Sequence, residues 1–151
     1  MMDPATLAAY GGLFTASFLA ATILPLGSES VVVAMAVAGY SPAWILALAT
    51  VGNTLGAIAN YGAGRLGELA LIRRYRVEDL PHVSRAQHLV RRWGPPVMIL
   101  AWVPGIGDPL TVIAGIAGMP FGRFCFWVCL GKGLRYAVLL FAADRVQMMM
   151  G

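Results

Sequence analysis

The chain has 151 residues, 59% of them hydrophobic and 12% charged, with a mean hydropathy of +0.74 and a formal charge of +4. That balance lies well outside a soluble domain and excludes an ordinary water-soluble enzyme or nucleic-acid-binding module. One compact, all-α integral membrane domain over residues 1–151 fits.

The first apolar stretch covers residues 5–24. It is preceded by Asp3, and no Lys or Arg occurs before Arg65, so the basic flank of a cleaved signal peptide is missing and the segment is expected to stay in the mature protein. The next stretch, "ILPLGSES" (23–30), brings a proline, a glycine and a carboxylate into an apolar run. Pro25 cannot donate to a helix ladder and Gly27 relaxes the backbone, so a helix should end there. Ser28 then reads as an N-cap with Glu29 in the first turn of a new helix. From Glu29 to Gly39 the chain makes about 16 Å of helix at ~1.5 Å per residue, half a bilayer.

After the turn signal Ser41-Pro42, residues 43–64 read as a full transmembrane helix. Its "GNTLGAIANYGAG" carries Gly52 and Gly56, a GxxxG pair for close packing, and Asn53 and Asn60 seven apart on the same side. Residues 65–94 hold seven arginines against Glu68, Glu78 and Asp79. This is a basic loop, expected on the cytoplasmic side and suited to anionic headgroups rather than nucleic acid. Within it Val83, Ala86, Leu89, Val90 and Trp93 recur at helical spacing, as in an interfacial amphipathic helix. His82 and His88 do not have metal-ligand spacing.

Residues 95–119 repeat the earlier break. Pro104, Gly105 and Gly107 end one arm, and Asp108 reads as an N-cap followed by Pro109 at the favoured first position. Residues 124–143 form the last apolar helix. Here Gly131 marks a packing position, while Lys132 and Arg135, three residues apart, share one face too deep to snorkel. Cys125 and Cys129 lie one turn apart and read as packing residues.

At an offset of 79 residues, Pro25 falls on Pro104, Glu29 on Asp108, Gly39 on Gly118 and Gly52 on Gly131. The chain therefore reads as a weak internal repeat: an arm, a Pro/Gly break with a carboxylate, a second arm closed by glycine, a turn, and a long helix. If each break is the tip of a re-entrant hairpin (5–39 and 95–119), residues 43–64 are the single span between them and the two repeats are inverted, as in transporters with broken helices at a midplane site. The alternative is two kinked spanning helices in a four-helix bundle with parallel repeats.

Carboxylates cost roughly +3 kcal/mol at a helix centre on insertion scales, so Glu29 and Asp108 are candidates for binding a proton or another cation, or else cap a polar cavity. Lys132 and Arg135, with Asn53 and Asn60 on the matching face, are candidates for holding an anion such as a phosphate, or else pair internally with the carboxylates. No catalytic pair, phosphate loop, metal cluster or cofactor motif is visible.

The runs "TILPLGSESVVVAMAVAG", "GNTLGAIANYGAGR", "AWVPGIGDPLTVIAGIAGMPFGRF" and "CLGKGLRY" together resemble the short YqaA-type branch of the DedA superfamily, the SNARE-associated or VTT-domain proteins, from about residue 13 to 145. The resemblance implies two facing re-entrant hairpins in the bacterial inner membrane and movement of lipids across it. Better-studied members are linked to recycling of undecaprenyl phosphate and to the proton-motive force, and eukaryotic relatives scramble phospholipids. Glu29 matches the family's important membrane carboxylate. Many members carry arginines flanking the second hairpin's proline, whereas here Trp102 precedes Pro104 and Asp108 follows it; positive charge lies instead at Lys132 and Arg135.

The expected function is thus a proton-coupled transporter of an anionic lipid, without cofactor, with membrane lipids and protons or another cation as partners and homo-oligomerisation left open. An energy-independent scramblase and a non-transporting scaffold are the alternatives.

Overall fold

The computed structural model describes residues 3–22, 27–70, 88–90, 92–103 and 106–150. The tip residues Pro25, Pro104 and Gly105 lie outside these, as do most of the basic loop and the first part of its amphipathic segment. Among the described residues every regular element is a helix. The longer ones are α1 (Pro4–Thr22), α2 (Ser28–Val37), α3 (Pro42–Ala70), a 3-10 helix (Pro95–Trp102), α4 (Gly107–Ile116) and α5 (Phe121–Met150). Three of them, α1, α3 and α5, are long and apolar enough to cross a membrane. At 19 residues, α1 measures about 28 Å at ~1.5 Å per residue, so its length suits a span as well as a hairpin arm.

α1 starts at Pro4, whose missing N–H costs nothing in a first turn, behind Asp3, whose Oδ1 accepts the Thr6 amide at 2.6 Å. Tyr10, Leu13, Ser17 and Ala21 form its buried face. Leu7 and Leu19 remain exposed, as do Val51 and Leu55 on α3 and Phe126, Leu134, Val138 and Phe141 on α5. Exposed apolar side chains in such number suit a lipid environment.

The same backbone stop occurs after α2 and after α4. After α2, Gly39 takes φ 81°, its N–H bonding Ala36 O at 3.1 Å and the Tyr40 N–H bonding Met35 O at 3.1 Å. After α4, Gly118 takes φ 65°, its N–H bonding Gly115 O at 3.1 Å and the Met119 N–H bonding Ala114 O at 3.1 Å. Both are Schellman stops, which favour glycine at the left-handed position, and they lie 79 residues apart.

Several sequence expectations are corrected. Neither Ser28 nor Asp108 is an N-cap: the cap positions are Gly27 and Ile106. Ser28 is instead the first helical residue, its hydroxyl taken by a tyrosine. At α4 the Gly107 amide already bonds Val103 O at 2.9 Å, so coiling begins before Asp108 and leaves it inside the first turn. The helix expected at 43–64 runs to Ala70, because no Pro lies between Arg65 and Ala70, and it takes in the first residues assigned to the basic loop. The last helix, expected at 124–143, spans Phe121–Met150. The stretch expected as the first arm of a second hairpin holds a 3-10 helix, confined between Pro95-Pro96 and Val103.

The described chain divides into two compact units. The first, Met1–Gly56 with Lys132–Gly151, joins α1, α2, the N-terminal half of α3 and the C-terminal half of α5 around Tyr10, Leu13, Val32, Ile45 and Tyr136. The second, Ala57–Gly131, joins the 3-10 helix, α4, the C-terminal half of α3 and the N-terminal half of α5 around Tyr61, Met98, Leu110, Ile113 and Phe124. In each, the long helix that follows an arm pair lies against the first arm's backbone. A Cβ at Gly52 would stand 2.6 Å from Phe14 O, and one at Gly56 2.5 Å from Phe18 O. One at Gly131 would stand 2.5 Å from Ile99 O. Such distances forbid a side chain without backbone movement.

Candidate functional site in the first unit

Because α2 begins at Ser28, Ser28 and Glu29 stand side by side at its positive end. Glu29 forms an ion pair with Arg135 of α5, and the two side chains keep 27% and 20% of their surface exposed. The pair is reachable by water or a headgroup rather than sealed in the core.

Tyr136, adjacent to Arg135, is 1% exposed and joins three elements. Its Oη accepts a hydrogen bond from Asn53 Nδ2 of α3 at 2.7 Å. The same oxygen also shares a hydrogen bond with Ser28 Oγ, 2.6 Å away, in which either hydroxyl can donate. Asn53, Tyr136 and Ser28 are thus one buried polar chain beside the Glu29–Arg135 pair. Lys132, one turn before Tyr136 on α5, is buried as well and is not isolated.

Further polar atoms lie in the same unit with no hydrogen-bond partner: Asn53 Oδ1, Thr50 Oγ1, Thr54 Oγ1 and Ser17 Oγ, all buried. Thr50, Asn53 and Thr54 fall within one face of α3, and Thr50 lies opposite Gly133, where a Cβ would stand 3.6 Å from its methyl. Unpaired buried hydroxyls are costly in an apolar setting.

The structure therefore brings Glu29, Ser28, Asn53, Lys132 and Arg135 into the first unit, with Gly27 at the α2 cap. Asn60, Asp108, Gly107 and Pro109 belong to the second, where Asp108 is half-buried and its carbonyl accepts a hydrogen bond from Thr111 Oγ1 at 2.7 Å. Tyr136 escaped the sequence reading, although its spacing of four from Lys132 puts it on that residue's face. Among the described residues no group of His, Cys, Asp and Glu could hold a metal ion.

The sequence pattern of the VTT domain matches residues 24–145, which take in both breaks and all of these side chains. This chain belongs to the VTT-domain, or DedA, family. Among VTT-domain relatives, the Inner membrane protein YqaA of Escherichia coli is 41% identical over 139 residues, covering 91% of this chain and 92% of that protein. The protein of the same name in Shigella flexneri matches to the same extent. An uncharacterised protein of Haemophilus influenzae is 36% identical over 137 residues, 85% of this chain and 83% of its own. No solved structure matches.

Proposed function

We propose that the protein is a multi-pass transporter of the bacterial inner membrane that moves an anionic, phosphate-bearing lipid, such as undecaprenyl phosphate, coupled to protons. The observation that carries this reading is the partly exposed Glu29–Arg135 pair at the start of α2. Membership of the VTT-domain family, relatives named as inner membrane proteins, and three helices long enough to span support the membrane setting.

In the proposed cycle the Glu29 carboxylate occupies the Arg135 guanidinium when no substrate is present. Protonation of Glu29 removes that carboxylate's charge and lets a phosphate take its place on the guanidinium through charge-assisted N–H donors. Loss of the proton restores the pair and expels the phosphate. The buried chain from Asn53 through Tyr136 to Ser28 holds α2 in register with α5, and Lys132 adds positive charge to the same unit. Asp108 serves as the coupling carboxylate of the second repeat.

The reading includes two inverted repeats with re-entrant hairpins. It is supported by the paired Schellman stops and by the matched make-up of the two units. In that arrangement both termini lie opposite the basic loop; in a bundle of kinked spans they lie beside it. Labelling of single cysteines at positions 3 and 149 from either side of sealed vesicles separates the two.

Transport itself is tested by headgroup accessibility of a polyprenyl phosphate in proteoliposomes, with and without an imposed proton gradient. Movement that follows the gradient is expected. Equal movement in both conditions favours a passive scramblase, for which the unpaired hydroxyls on α3 would form a polar groove, and no movement counts against lipid transport.

A further inference from the structure

The second unit contains a cavity of about 390 Å³ lined by Tyr61, Arg65, Gly118, Met119, Pro120 and Phe121. It is built from the end of the apolar part of α3, the Schellman turn after α4 and the start of α5. Tyr61 Oη donates to Met119 O at 2.6 Å and so ties α3 to the turn. Arg65, one helical turn further on, directs Nη1 to Tyr61 Oη at 3.4 Å, a long contact that uses one of its five donors. The Phe121 ring lies 5.8 Å from the Tyr61 ring and forms an apolar wall. Gly118 keeps the floor low: a Cβ there would stand 3.9 Å from Arg65 Nη1.

We propose that the Arg65 cavity is a binding site for a phosphate group, distinct from the Glu29–Arg135 site. A guanidinium fork matches phosphate oxygens, and the N-terminus of the 30-residue helix α5 at the cavity edge adds positive potential. Met119, Pro120 and Phe121 supply apolar surface that inorganic phosphate does not use, which favours the phosphate of a lipid headgroup over the free ion. The site needs no transport activity, so its test can fail or succeed independently of the proposed function.

The full chain in dodecyl maltoside, whose headgroup has no phosphate, is titrated by calorimetry with dihexanoyl phosphatidic acid and separately with inorganic phosphate. Saturable binding of the phosphatidic acid by wild type is expected. R65Q should weaken it about tenfold or more, R65K less because it keeps the charge but loses the fork, and R145Q, which removes an exposed charge on α5, not at all. Weak binding of inorganic phosphate identifies a headgroup site, and equal binding of both, lost alike in R65Q, identifies a site for phosphate itself. Absence of saturable binding of either compound, or equal loss in R65Q and R145Q, would overturn the proposal.

Discussion

Glu29 in the first turn of α2 and Arg135 near the middle of α5 are ion-paired, with 27% and 20% of their side-chain surface exposed. The pair is partly buried and partly accessible. Removing either partner takes a charge-assisted hydrogen bond from the other, which costs roughly 1.5–3 kcal/mol. E29A and R135A should each lower the unfolding free energy by about that amount, and the double variant by less than their sum. A double-mutant cycle in detergent measures the coupling.

Tyr136 is the hub of the neighbouring polar chain. Y136F removes one oxygen and strands both Ser28 Oγ and Asn53 Nδ2 in a buried setting, so a loss of about 1–3 kcal/mol is expected. Adding S28A to Y136F should recover part of it, since the stranded hydroxyl is then gone. Recovery of thermal stability in the double variant checks the network, and a Y136F protein as stable as wild type would contradict it.

The glycines of α3 and α5 should sort by their surroundings. G52A, G56A and G131A push a methyl into facing backbone and should destabilise by about 1–3 kcal/mol. A Cβ at Gly62 of α3 or Gly122 of α5 meets nothing within 4 Å. G62A and G122A should therefore stabilise by up to about 1 kcal/mol, through lower entropy of the unfolded chain. Melting of the five single variants in one detergent decides this.

At the other end of α1, the hydrogen bonds from Thr6 hold the Asp3 carboxyl below its ordinary value of 3.8. A folded-state value below the unfolded one means that the cap contributes fully above about pH 3.8 and is lost as pH falls through the lower folded value. Protection of the Thr6 amide relative to its intrinsic exchange rate should fall over that acid range in wild type, and D3A should lack that protection at every pH.

Much of this was legible in the sequence because it depends on periodicity and on residues with few conformational choices. The matched glycines 39 and 118 carried the repeat, and both adopt positive φ. The GxxxG of α3 named the positions where α1 approaches. Helix ends were read less well: Ser28 has the composition of a cap, but its hydroxyl is claimed by Tyr136, a partner 108 residues away that no local rule can see. The pairing of Glu29 with Arg135 was implied only as a need for internal neutrality; which cation met which carboxylate required the fold. Arg65 read as one more charge of a basic loop, because nothing in its immediate sequence reveals that the turn at Gly118 lies beside it.

If protonation of Glu29 lets a phosphate-bearing lipid take its place on Arg135, a comparison of E29Q with wild type in proteoliposomes across pH, with and without a proton gradient, reads it out. Glutamine keeps the shape of protonated glutamate and cannot release a proton. Polyprenyl phosphate should move in wild type with a dependence on pH and gradient, and E29Q should bind the lipid yet lose that dependence and turn over at least about tenfold more slowly. E29Q that moves the lipid at the wild-type rate, with the same response to the gradient, would contradict the account.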